Sequence, residues 1–442
     1  MRIRSAVGGT FGPIPKVLQW AYKGIILPSL TYGCATWARV CGKGMISKKL
    51  TTLNRLMALS MASLRKSSPT AGLEVMLNFP PLDLKIKEIA LSNLLRILPK
   101  LKPKWDGVGK KGLSHIKWGQ NNLNDLGIND WNFDLEKSLN INKKFKVDLE
   151  SFKVGKPDHD SDLACFTDGS KLDGKAGYGF AILNKDNALL DSGNGYIGEK
   201  QSVFQAETVG IHKACERLQT SNAKSITIFS DSQSAISAIA GWIVRSKTVS
   251  NCVKALNNLA TGKKVIIKYI KAHVGFLGNE TADALAKQGT KNTLNKIVIP
   301  QPNSWAKMLL KKETYEQWAS RWYQCKIGRQ TKIWFPSLNI KGSKILESLP
   351  RADLGLAIQM LSGHNRLNRH ENLCNPEVSP LCRKCGEEEE SSWHVVALCP
   401  ALVHRRGQSF KKYFLEDPPD WKAAQFLDFL KNAKIAELNT RS

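Results

Sequence analysis

The chain has 442 residues, long enough for about three domains. Hydrophobic residues make up 42% and charged residues 23%, which describes a globular chain with buried cores. The 65 Lys+Arg against 38 Asp+Glu give a formal charge of +27, so a polyanionic partner is expected and a disulfide-stapled secreted module is not. No apolar run approaches the ~18 residues of a membrane span. Met1 to Thr10 carries Arg2 and Arg4 but no long apolar stretch, so no secretory signal is read there.

The charge is uneven: +14 over residues 1–150, +4 over 151–290 and +9 over 291–442. Residues 1–73 hold 11 basic residues and no acidic one. Solubility alone needs no such one-signed stretch, whereas contact with phosphates does. Of the ten cysteines, most stand inside apolar segments, as Cys165 and Cys215 do, where a thiol behaves as a small hydrophobe. Only Cys382 and Cys385 have ligand-like spacing. This usage fits a reducing, intracellular compartment, nucleus or cytoplasm.

In chain order, residues 1–100 read as a basic helical region, with Leu50, Leu53, Leu56, Met57 and Leu64 at helical spacing. Residues 101–161 read as a linker region rich in Lys, Asn, Asp and Gly, with Trp118 and Trp131 marking parts that pack. Residues 162–290 have a different texture. Leu163 to Thr167 is a strand-like run ending at Asp168, Tyr178 to Leu183 a second, and Ala188 to Tyr196 a third after the 184–187 turn. A helix follows over about 202–219, a strand over Ser225 to Ser230, helices near 232–240 and 247–260, a strand over Val265 to Ile270, and a helix near Asn279. Hairpin strands first and crossovers after predict a mixed five-stranded α/β sheet flanked by helices. Residues 295–370 read as helical, anchored by Trp305, Leu309, Trp318 and Trp322; 371–410 as a small metal module; 411–442 as a tail.

Three carboxylates stand out. On the helix from Ser202, Glu207 shares a face with Val203, Phe204, Ile211 and Ala214, so it is placed among buried residues. A buried unpaired carboxylate is costly and calls for a cation, unless it snorkels from the edge of the stripe. Asp168 and Asp231 each end a strand-like run. Either alone suits ordinary turn or helix capping. Recurring on neighbouring strands, with Glu207 between them, they form a set whose like charges repel unless metal ions neutralise them. A fourth, Asp283, sits in the first turn of the last helix, ten residues after His273 in a Gly-rich loop.

Thr167-Asp168-Gly169-Ser170, Gln205-Ala206-Glu207, Ser230-Asp231-Ser232-Gln233 and the His273–Asp283 segment resemble the four signature blocks of ribonuclease H, in order and in separation. The resemblance covers about 162–290. It implies a ribonuclease H-like fold, with Asp168, Glu207, Asp231 and Asp283 as ligands of two Mg²⁺ or Mn²⁺ ions. It implies His273 as a mobile loop histidine assisting proton transfer or product release, and Glu280 as an outer carboxylate. Gly169, Ser170 and Gln233 fall at substrate-contacting positions, with RNA–DNA hybrid as the substrate. Hard carboxylate oxygens suit these ions rather than zinc, and a metal pair can serve both the attacking and the leaving oxygen of a phosphodiester. Residues 241–264 leave no room for the basic insertion of bacterial members, so hybrid affinity is expected from the flanking basic regions. Val203 and Phe204 stand where some members carry polar residues.

Near the C-terminus, Cys382, Cys385, His394 and Cys399 form C-x2-C-x8-H-x4-C, the donor set of a closed, structural zinc site. Cys374 and His404 are nearby substitutes. Arg383, Lys384, Arg405 and Arg406 are candidates for gripping nucleic acid, and the Glu387–Glu390 run reads as solvated. Residues 361–370 followed by this cluster resemble the C-terminal tail of arthropod-type non-LTR retrotransposon polyproteins. Residues 27–37 are more weakly similar to the region after the polymerase palm. No Asp-Asp dipeptide occurs, so the polymerase motif is missing. The expectation is the C-terminal part of a reverse transcriptase without polymerase activity, cutting the RNA strand of hybrids and binding RNA and DNA, with no membrane. The alternative is an inactive nucleic-acid-binding remnant that relies on its basic regions and zinc cluster.

Overall fold

The computed structural model describes residues 13–61, 64–101, 114–128, 132–135, 139–154, 160–416 and 423–435. Two compact units share the chain: residues 95–107 with 127–309, and residues 1–94 with 108–126 and 310–442. Among the described residues, no helix is long and apolar enough to cross a membrane.

Among the described residues, the main sheet of the first unit has six strands: β1 (Lys146–Asp148), β2 (Leu163–Leu172), β3 (Lys175–Asn184), β4 (Leu189–Gly198), β5 (Ser225–Ser230) and β6 (Lys264–Tyr269). Their order is β1-β6-β5-β2-β3-β4. The hairpins β2/β3 and β3/β4 are antiparallel, and β2/β5, β5/β6 and β1/β6 are parallel. The sequence predicts five of these strands. The sixth, β1, comes from within the stretch read as linker, and its three residues add beside β6. Trp131 lies outside the described residues.

Helices α1 (Val203–Leu218), α2 (Gln233–Ala240), α3 (Lys247–Leu259) and α4 (Leu277–Lys291) cover the sheet. Alternation along β2 divides the core. Cys165 points to a cluster with Val209, Ile211, Ile228, Cys252 and Leu256 from α1, α3 and β5. Ala164 and Phe166 point to the opposite face, against Phe229, Ile270 and Ala282 of α4. Phe166 stacks on Phe229 with centroids 5.0 Å apart. The approach of α4 is close: a Cβ at Gly179 would lie 2.4 Å from the Ala282 carbonyl oxygen, so only glycine fits there.

The start of α1 is held from a distance. Ser202 and Gln205 form a reciprocal capping box. Gln205 Nε2 also donates to the Pro300 carbonyl at 3.0 Å and to Asp134 Oδ2 at 3.2 Å. Asp134 in turn accepts from Ser246 Oγ and from the Thr248 N–H, both at 2.8 Å, at the start of α3. One carboxylate from the expected linker therefore ties two helix N-termini, where negative charge also suits the helix dipoles.

In the second unit, one hydrophobic core takes Tyr22, Met57, Leu73 and Phe79 from the N-terminal helices, Trp318, Trp322 and Trp334 from the later helical region, and Val395 and Phe429 from near the C-terminus. The regions 1–100, 310–370 and 371–410 and the tail as far as Ile435 thus contribute to a common interior. Helix Ser114–Asp125, also within the expected linker, belongs to this unit.

Asp134→Ala leaves Ser246, Thr248 and Gln205 short of an acceptor. It is expected to lose about 1–3 kcal/mol of stability. An unchanged thermal transition would show that the clasp carries no weight.

Candidate active site

Strand β2 and strand β5 run parallel, with Thr167 opposite Ser230 as their last paired rung. Asp168 and Asp231 are the next residue on each, so the register alone places them side by side at the carboxyl end of the sheet. Glu207 arrives from α1. A Cβ at Gly169 would lie 2.3 Å from the Glu207 backbone nitrogen, so the glycine beside Asp168 is what lets the helix sit this low. Asp168 is 7% and Glu207 6% exposed, and Asp231 is half-buried. Carboxylate oxygens of all three lie within 4.8 Å of one another.

Such a cluster opposes its own ionisation. Burial, then repulsion from Asp231 and Asp283, pushes Asp168 up to about 7. Burial, then Asp168 and Asp231, pushes Glu207 well above the usual carboxylate range. Asp231 is raised by burial and partly relieved by a hydrogen bond from the Asn279 side chain and by His273. Glu207 Oε2 is buried with no hydrogen-bond partner among the described residues. A carboxylate oxygen in that position calls for a bound cation, a proton or a water. The donor set, all hard oxygens, fits a divalent ion such as Mg²⁺ or Mn²⁺.

Asp283 falls in an adjoining group. It and Glu280 present ligand atoms within 4.8 Å of one from His273. Its repulsion of Asp168 and Asp231 shows the two groups to be electrostatic neighbours. Lys287, one turn along α4, donates to Asp283 Oδ2 at 2.6 Å. His273 is exposed at φ +52° on the loop before α4, two residues before Gly275 at φ +83°. The four predicted carboxylates thus converge as a tight trio with the fourth beside it.

Residues 160–291 match the family model described as RNase H. Human Ribonuclease H1 is 30% identical over 106 residues, covering 21% of this chain and 37% of that protein. Ribonuclease H of Schizosaccharomyces pombe is 27% identical over 176 residues, covering 35% of this chain and 64% of that protein. The chain spans less than two thirds of either relative. Residues 160–291 form a ribonuclease H domain. Among solved structures, RNase H1 from the archaeon Halobacterium salinarum is 22% identical, covering 29% of this chain and 97% of that one, with a TM-score of 0.26. LC11-RNase H1 in complex with RNA/DNA hybrid is 20% identical, covering 30% and 99%, also with a TM-score of 0.26.

Within the ribonuclease H domain, Gly169 is buried at the α1 crossing, Ser170 is half-buried on β2, and Gln233 is exposed at the first position of α2. Two residues near the carboxylates escape the sequence reading. Asn279 is 3% exposed and bonded to Asp231, and Lys287 is paired with Asp283. Their signals were a polar residue before Glu280 at the helix start, and a Lys four residues after Asp283.

The Cys/His cluster assembles in the other unit. Ligand atoms of Cys382, Cys385, His394 and Cys399 lie within 4.8 Å of one another. Cys385 Sγ is 3.3 Å from His394 Nε2, and His394 Nδ1 is 3.0 Å from Glu388 Oε2. A carboxylate on the far nitrogen of a ligand imidazole is the usual outer support of a zinc site. The buried Arg406 donates to the Cys399 carbonyl. Cys374 and His404 lie outside the cluster, near His370 and Gln408. Two expectations are corrected here. Glu390 is only 2% exposed, held by Arg383 Nη2 at 2.7 Å rather than solvated. Arg406 is fully buried, so neither it nor the paired Arg383 is a free phosphate contact.

Because Asp168, Glu207 and Asp231 are all raised, the folded, metal-free protein holds protons that the unfolded chain has released. Its stability therefore falls as pH rises from about 4 toward about 7. Magnesium should raise the thermal transition strongly at pH 7.5 and weakly at about pH 5, and Asp168→Asn should flatten the difference. An equal magnesium effect at both pH values would contradict this.

Proposed function

We propose that residues 160–291 are a metal-dependent endonuclease that hydrolyses the RNA strand of RNA–DNA hybrids by two-metal-ion chemistry. The observation that carries the reading is the buried trio Asp168, Glu207 and Asp231, with an unpartnered Glu207 oxygen and Asp283 alongside. Asp168, Glu207, Asp231 and Asp283 would hold the ions. When bound, these supply an activated water and neutralise charge at the phosphate. Asn279 orients Asp231 through its amide. His273, exposed on its loop beside Glu280 and Asp283, would assist proton transfer or product release. Ser170 on β2 and Gln233 at the start of α2, each two residues past Asp168 and Asp231, would contact the hybrid. RNA would be selected through its 2′-hydroxyl.

The flanking segments, at +14 and +9, would supply most of the nonspecific affinity, because residues 151–290 carry only +4. The Cys/His cluster would hold a structural zinc, supported by Glu388 behind His394 and by the buried Arg406. The C-terminal resemblance supports descent from a retrotransposon reverse transcriptase, and these 442 residues carry no Asp-Asp pair for polymerase chemistry. The free thiols suit a reducing, intracellular setting.

Incubating the full chain with a labelled hybrid and Mg²⁺ should shorten the RNA, leaving 5′-phosphate and 3′-hydroxyl ends. Asp231→Asn should lower cleavage by about a thousandfold or more while hybrid binding persists. Intact RNA with binding retained would leave the alternative, a nucleic-acid binder without nuclease activity. Metal analysis should find zinc bound in the wild-type chain and lost in Cys399→Ser.

A further inference from the structure

The carboxylate site already holds a cation of the chain's own. Lys287 lies one turn along α4 from Asp283, and its ammonium group donates to Asp283 Oδ2 at 2.6 Å. The field it feels is wider than that pair. Asp283 first, and Asp168 and Glu280 after it, push the amine further toward its charged form. The same charge eases the ionisation of buried Asp168.

A half-exposed Lys–Asp pair four residues apart on a helix is ordinarily worth little and needs no role. Two features set this one apart. The first is the position of Asp283 beside the buried trio, where a divalent ion on its carboxylate would meet the ammonium group as a like charge at close range. The second is that only the side chain is free to move. Helix α4 packs so closely on β3 that a Cβ at Gly179 would lie 2.4 Å from both the Ala282 oxygen and the Ala286 nitrogen. One at Gly177 would lie 2.4 Å from the Thr290 nitrogen. These contacts pin the helix backbone on either side of Lys287, and Ala282 and Ala286 are fully buried. The Lys287 side chain, by contrast, is 49% exposed, against 18% for that of Asp283.

An ion entering at Asp283 can therefore dislodge the ammonium group without moving the helix, and the released charge stays at the open rim of the site. A lysine suits that exchange, being a compact point charge on a flexible four-carbon stem rather than a planar fork locked to one carboxylate. The anion that reaches the same rim with the substrate is a phosphate. Resting on the nuclease reading above, we propose that Lys287 is a stand-in for the divalent ion: it holds Asp283 in the metal-free protein, yields that carboxylate to the ion, and then pairs with a backbone phosphate of the hybrid. The exchange has a two-signed consequence. Removing the charge favours the metal and disfavours the hybrid, whereas loss of a merely structural pair weakens both or neither.

The test uses the full chain and two titrations that need no cleavage. Manganese is titrated by calorimetry without nucleic acid, and a labelled RNA–DNA hybrid is titrated in calcium at several salt concentrations. Lys287→Met should bind manganese about tenfold more tightly than the wild type. It should bind the hybrid about threefold or more weakly, and its slope of log affinity against log salt should be shallower by about one. Lys287→Gln, a second neutral variant, should behave in the same way, and Lys287→Arg, which keeps the charge, should return both affinities toward the wild type. Manganese affinity that is unchanged or lower in both neutral variants would overturn the competition at Asp283. Hybrid affinity and salt slope that stay at wild-type values in both would overturn the transfer to phosphate. Should the titrations come out as expected while the wild-type chain leaves RNA intact in magnesium, the nuclease reading fails and the role of Lys287 stands.

Discussion

The structure of the ribonuclease H domain turns on the cost of burying like charges together. Asp168, Glu207 and Asp231 present oxygens within 4.8 Å of one another in a largely buried setting, and each is displaced toward its neutral form. Nothing in the fold relieves this fully: Asn279 and the Gly169 N–H help, yet Glu207 Oε2 stays unpartnered among the described residues. Such an arrangement lowers stability unless cations or protons enter it. The backbone enforces it nonetheless. The parallel register sets Asp168 beside Asp231, and the close crossing at Gly169 drives Glu207 down upon them.

Much of this was legible in the sequence, for local reasons. Helical spacing put Glu207 among apolar residues, and strand-like runs ended where Asp168 and Asp231 now stand. What was not legible depends on contacts distant along the chain. Asp134 lies in a polar stretch with the texture of a linker, yet its carboxylate caps a helix more than a hundred residues away. Strand β1 has too few residues to show a period of its own, and β6 alone gives it a place. Asn279 and Lys287 carried plain local readings, as residues of an amphipathic helix, until Asp231 and Asp283 were beside them.

The metal-ligand spacing near the C-terminus was legible in the same local way, and its support was not. Glu387 to Glu390 reads as one solvated acidic run, but the structure separates its members. Glu388 backs His394, while Glu390 is buried under Arg383 and accepts from the Asn368 N–H at 2.7 Å. Arg406 looks like a surface cation next to Arg405. Instead it is enclosed, its donors spent on carbonyls of Tyr413, Val395 and Cys399. Charge counted along a sequence therefore overstates the free positive surface.

The central claim is that the carboxylates of β2, α1, β5 and α4 form one receptor for divalent cations. Crystals of the full chain soaked in manganese and measured for anomalous scattering test it most directly. The account predicts strong peaks bounded by Asp168, Glu207, Asp231 and Asp283, with Glu207 Oε2 among the contacts. A map with no peak there, or with manganese only on other surface carboxylates, would contradict it.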